Sequence, residues 1–115
     1  MADQGGLAVR WGTLTLLEQM AHIGSEVERS VRAHESGRKE RLEKALDRAL
    51  ELFDLTATDE RWRGPRRREI LRAREEVCRL FFDDDVWTGS SRGLRNYFLG
   101  FAVAARRPGA SRAGS

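Results

Sequence analysis

Residues 15–36 read TLLEQMAHIGSEVERSVRAHES, and within them Leu16, Met20, Ile23, Val27 and Val31 recur at steps of three and four. That spacing places them on one stripe of a 3.6-residue helix, so the stretch is an amphipathic helix of about six turns. Thr15 and Glu18 have the spacing of a capping box, which starts the helix, with Thr13 as the alternative cap. Gly37 is placed to stop it in the left-handed conformation that glycine adopts cheaply. Ser30 and His34 fall on the apolar stripe, Gln19 and Glu26 lie at its border, and Gly24 offers a point where another helix can approach closely.

Outward from this element the chain repeats the same logic. A second helix is expected over about 38–55, with Leu42, Leu46, Ala49, Leu50 and Phe53 inward and the pairs Glu40–Lys44 and Lys44–Arg48 on a solvated side. Residues 56–64 form a polar connector in which Trp62 can fold back onto the helices. Gly64 and Pro65 open a third helix, since proline fits the first turn, where its missing N–H is not needed. Its stripe is Ile70, Val77 and Phe81, with Arg74 in the middle, flanked by Leu71, Ala73, Cys78 and Leu80. Asp83, Asp84 and Asp85 lead into a turn, and a fourth helix is expected from Ser90 or Ser91 to about Arg107, where Pro108 ends it. Four helices with short connectors make an all-α fold, most simply an antiparallel four-helix up-down bundle. Residues 1–12 are expected to be a mobile lead anchored by Trp11, residues 13–107 the bundle, and residues 108–115 a disordered tail.

Composition narrows the class. The chain has 115 residues, 40% hydrophobic and 34% charged, with two prolines and one cysteine. This is one domain with one core. The net charge of +3 rests on Arg106, Arg107 and Arg112 near the end, so the body is close to neutral. A lone cysteine, Cys78, forms no internal disulfide and points to a reducing, cytoplasmic setting. No apolar segment approaches the ~20 residues of a membrane span, and residues 1–6 do not read as a signal peptide.

Four constellations carry candidate chemistry. Arg74 on an apolar stripe must reach water past its stem or meet a carboxylate. Glu26 is the preferred partner in a buried ion pair, with Arg29, Glu51, Asp54 and Glu75 as further members of the set. His22 and Glu26, one turn apart, are weak candidates for a shared metal, but two ligands are not a site and no metal or cofactor is expected. The run Arg61-Trp62-Arg63-Gly64-Pro65-Arg66-Arg67-Arg68 holds five arginines and a tryptophan, a pattern that suits phosphate contact and base stacking. Asp59, Glu60 and Glu69 flank it, and Asp83 to Asp85 are further candidates to offset cations at a helix start. Finally, the segment YFLGFAVAA (97–105) is apolar on most sides. Tyr97, Phe98 and Phe101 are therefore candidates for an oligomer interface unless Trp11 and Trp62 cover them.

Arg29 and His34 have the Arg-x4-His spacing. In these two residues the chain resembles the ribonuclease motif of HEPN domains, small helical bundles that act as dimeric RNases or as partners of nucleotidyltransferases. By that resemblance Arg29 and His34 would be catalytic. More widely, WGTLTLLEQMAHIGSEVERS, RALELFDLT, RWRG, REILRAREEVCRLFF and NYFLGFAVAAR resemble a group of small uncharacterised bacterial and archaeal proteins, which implies no catalytic residue. The leading expectation is a non-enzymatic bundle working through protein contacts as a homodimer. A nucleic-acid-binding module using residues 61–68 and a HEPN-like ribonuclease are the alternatives.

Overall fold

The computed structural model describes the backbone of residues 2–82 and 87–106 and the side chains of residues 6–82 and 91–106. The described residues are all-helical, with no strand among them: α1 (Ala2–Trp11), α2 (Leu16–Glu35), α3 (Lys39–Ala57), a 3₁₀ turn (Glu60–Trp62), α4 (Pro65–Phe82) and α5 (Trp87–Arg106). Residues 83–86 and 107–115, with the expected acidic turn and tail, lie outside the described residues.

Helix α2 is the central element, packed along its length against α3 on one side and α5 on the other. Its ends are built as the sequence predicts. Thr15 Oγ1 accepts from the Glu18 N–H at 3.2 Å while Glu18 Oε1 accepts from the Thr15 N–H at 2.9 Å. At the far end Gly37 has φ +68°, and the N–H groups of Gly37 and Arg38 donate to the carbonyls of His34 and Ala33 at 3.2 and 2.9 Å. That pair of bonds is a Schellman motif, which satisfies carbonyls the helix would otherwise leave free.

Met20, Ile23, Val27 and Val31 of α2 form the core with Leu46, Ala49, Leu52 and Phe53 of α3, Ile70, Ala73, Val77 and Leu80 of α4, and Leu94 and Phe98 of α5. The closest helix contact is at Gly24. A Cβ there would lie 2.8 Å from Phe98 Cβ and 3.2 Å from its ring carbons, so only glycine lets α5 come this near. Phe98 then meets Phe53 edge-on, with ring centroids 6.1 Å apart. Beyond this point Arg95 makes a bidentate contact with Glu28, Nε to Oε1 at 2.9 Å and Nη2 to Oε2 at 2.6 Å, tying α5 to α2.

Three features differ from the sequence-based expectation. The lead contains a fifth helix, α1, anchored by Trp11, which is buried and whose indole N–H donates to Thr56 Oγ1 at 2.8 Å. Helix α5 begins at Trp87 rather than near Ser90, because the turn-like residues Thr88 and Gly89 are only a weak local preference that a longer packed helix overrides. Helix α4 buries Ile70, Ala73, Val77 and Leu80 rather than Ile70, Arg74, Val77 and Phe81, a stripe rotated so that Arg74 sits at its edge.

Candidate functional site

With α4 rotated, the expected ion pair between Glu26 and Arg74 does not form. Arg74 Nε donates to Asp54 Oδ1 at 3.0 Å, joining α4 to α3, and Asp54 is largely exposed. Glu26 accepts instead from Arg29 Nη1 at 2.9 Å, one turn along its own helix. Arg74 also approaches the half-buried Cys78, with Nη1 3.9 Å from Sγ. Both arginines therefore reach water past their stems and find carboxylates near the surface, where such pairs contribute little stability.

His22 and Glu26 do share a concavity. A cleft of about 560 Å³ between α1, α2 and α3 is lined by both, together with Arg10, Trp11, Arg29 and Arg48. His22 is exposed, its ring 5.8 Å from that of Trp11 and tilted by 55°. Because the Glu26 carboxylate is turned to Arg29, the two do not form a ligand pair, and no cluster of three metal-binding side chains occurs among the described residues.

Arg29 and His34 do not face a common groove. Five residues along a helix turn it through about 140° beyond a full rotation. Arg29 lies in the clefts beside α1 and α5, whereas the His34 ring meets Phe81 of α4 edge-on at 6.2 Å. The two-residue resemblance to a ribonuclease motif thus acquires no shared site.

The arginine-rich connector is organised by a buried polar hub that the sequence places at a helix border. Gln19 is fully buried. Its Nε2 donates to the Trp11 carbonyl at 2.8 Å and to Asp59 Oδ2 at 3.3 Å, and its Oε1 accepts from the Trp62 indole N–H at 2.8 Å. Asp59 in turn holds Arg61 by Nε and Nη2, and Arg61 Nη2 also donates to the Leu14 carbonyl at 2.8 Å. The Arg61 guanidinium beside Asp59 pulls its carboxyl below the usual range, against a smaller opposing effect of burial.

These contacts bear on one part of the expected nucleic-acid surface, base stacking by Trp62. Trp62 is 3% exposed, so its ring cannot stack on a base. Arg61 lies over one part of that ring at 4.4 Å and Arg66 at 5.9 Å, while Arg63 pairs with Glu60 at 2.8 Å. Arg67 Nη2 donates to the Asp59 carbonyl at 3.3 Å, and its Nε is buried without a partner. Asp59 and Glu60, adjacent in sequence, provide the offsetting charge, and Arg68 is left as an exposed cation.

The expected interface residues of α5 also point elsewhere. Phe98 is buried against Gly24 and Phe53, and Tyr97 is half-buried, donating its hydroxyl to Glu69 Oε1 at 3.1 Å. Burial, reinforced by the Glu69 charge, pushes the Tyr97 phenol up to about 12. Phe101 packs at the edge of the core. The indole N–H groups of Trp11 and Trp62 are engaged with Thr56 and Gln19, respectively, and both rings belong to the core cluster that includes Leu94 and Phe98. Among the described residues, the large apolar side chains that α5 leaves in solvent are Leu99, 58% exposed, and Val103, 48% exposed. No helix among the described residues is long and apolar enough to cross a membrane.

No protein-family model, curated protein or solved structure matches the chain.

Proposed function

We propose that the protein works through protein contacts rather than catalysis, as an antiparallel up-down helical bundle whose outer α5 face docks against a second copy of the chain. The neighbours of each helix support the bundle order: α2 lies beside α3 and α5, and α4 contacts the same two. With short connectors, consecutive helices in such a ring run in opposite directions.

One observation carries the docking face. Leu99 and Val103 are one turn apart on the side of α5 opposite the buried Leu94 and Phe98, and both are about half exposed. Gly100 lies between them with open space where a Cβ would stand, so a partner's helix can approach the backbone there. Arg92 and Asn96 continue this face as an exposed polar rim, the anatomy of an interface with an apolar centre. A reducing, cytoplasmic setting accords with the single free cysteine.

The test is the variant carrying Leu99→Glu and Val103→Glu, compared with the unmodified chain by size-exclusion chromatography with light scattering. Two exposed positions can take carboxylates without disturbing the core, so circular dichroism should be unchanged while the mass falls from dimer to monomer. Equal masses for the two proteins would reject this face.

A further inference from the structure

The cleft between α1, α2 and α3 has the size of a small-molecule site, which typically spans roughly 300–1,000 Å³. Three helices each bring one guanidinium to its walls: Arg10 from α1, Arg29 from α2 and Arg48 from α3. Glu26 is the one carboxylate in the lining among the described residues and accepts from a single Arg29 nitrogen. Arg48 donates one nitrogen outward to Glu51 at 2.9 Å. A guanidinium has five N–H donors, so both arginines retain free ones. The Arg10 guanidinium has no carboxylate partner among the described residues. Against these cations stands an apolar wall of Trp11, Leu14 and Leu52, and His22 brings an imidazole to the rim.

We propose that this cleft binds a small organic phosphate monoester. Donors arriving from three helices approach from three directions, which matches the three terminal oxygens of a tetrahedral phosphate better than the two coplanar oxygens of a carboxylate. The excess of cations over carboxylates in the lining suits a dianion, and the apolar wall takes the organic group. The cleft includes neither Leu99 nor Val103, so ligand binding and self-association are separate properties.

Isothermal titration of the full chain with phenyl phosphate, inorganic phosphate and benzoate at constant ionic strength tests the site. Phenyl phosphate should bind most tightly, inorganic phosphate should compete with it, and benzoate should bind most weakly. Arg10→Gln and Arg48→Gln should each weaken phenyl phosphate roughly tenfold, the effect of losing one charge-assisted hydrogen bond. Arg68→Gln, an exposed cation outside the cleft, should leave it unchanged. Absence of binding, tighter binding of benzoate, or equal affinity in all three variants would overturn the proposal.

Discussion

Replacing Gln19 by leucine keeps the volume of the side chain and removes its three hydrogen bonds. In the folded protein the Trp62 indole N–H then loses its Gln19 partner, whereas the Trp11 carbonyl keeps the Leu14 N–H at 3.1 Å and Asp59 keeps Arg61. A buried polar group left unpaired costs about 1–3 kcal/mol, and the Trp62 N–H is the group so left. Against a typical total of about 5–15 kcal/mol, that is a measurable fraction of the stability. Urea unfolding followed by circular dichroism should show a midpoint lowered by about 1 M, taking a slope of about 1–3 kcal/mol per M. The second arm is Trp62→Phe, which deletes the indole N–H. In the Gln19→Leu, Trp62→Phe double variant that orphan no longer exists, so the double variant should be more stable than the sum of the single effects predicts. A midpoint for Gln19→Leu within experimental error of the parent, or strictly additive effects, would refute the view that Gln19 organises the connector.

Gly24→Val should destabilise the protein by about 1–3 kcal/mol, measured by the same unfolding curves, because its Cβ would meet Phe98 at 2.8 Å and α5 would have to retreat. Gly37→Ala should lower stability by about 1–2 kcal/mol, since residue 37 holds φ +68° at the end of α2, and thermal unfolding will record it. Glu28, Asp59 and Glu69 have pKa values lowered chiefly by hydrogen bonds from Arg95, Arg61 and Arg72, respectively. Their contribution is therefore present above the ordinary carboxylate pKa and lost as pH falls through the lowered folded values, which unfolding curves taken on acidification should show. At the alkaline end the sign reverses. Tyr97, raised from 10.0 to about 12, contributes stability that is fully present below pH 10 and declines as pH approaches 12, and Tyr97→Phe should abolish that part of the decline.

Much of the fold is legible in residues 15–36 because several independent signals agree there. The capping box, the apolar stripe, the gap at Gly24 and the left-handed Gly37 each occur as read. Helix α1 is harder to see: Gly5 and Gly6 disfavour a helix locally, and what holds it is a tertiary bond from Trp11 to a residue 45 positions away. The rotation of α4 has a simple cause. The series 70, 74, 77, 81 and the series 70, 73, 77, 80 both fit helical steps, and only packing against α3 and α5 selects the one that buries Ala73 and Leu80.

The polar sites are less legible because partner choice is a tertiary property. Asp54 belongs to the set of carboxylates available to Arg74, but periodicity alone favours Glu26. Gln19 reads as a border residue until two buried indoles are placed beside it. A buried tryptophan N–H needs an acceptor, and that requirement is the signal that finds the hub. In α5 the run YFLGFAVAA has no polar face to orient it. The large aromatic Phe98 turns inward, and Leu99 and Val103 are left outside.

The claim that the protein acts through contact with its own copy is tested most directly by sedimentation equilibrium of the unmodified chain at micromolar concentration. The proposed α5 interface predicts a concentration-dependent approach to twice the chain mass of 13.1 kDa. A constant mass of one chain across the range would contradict it.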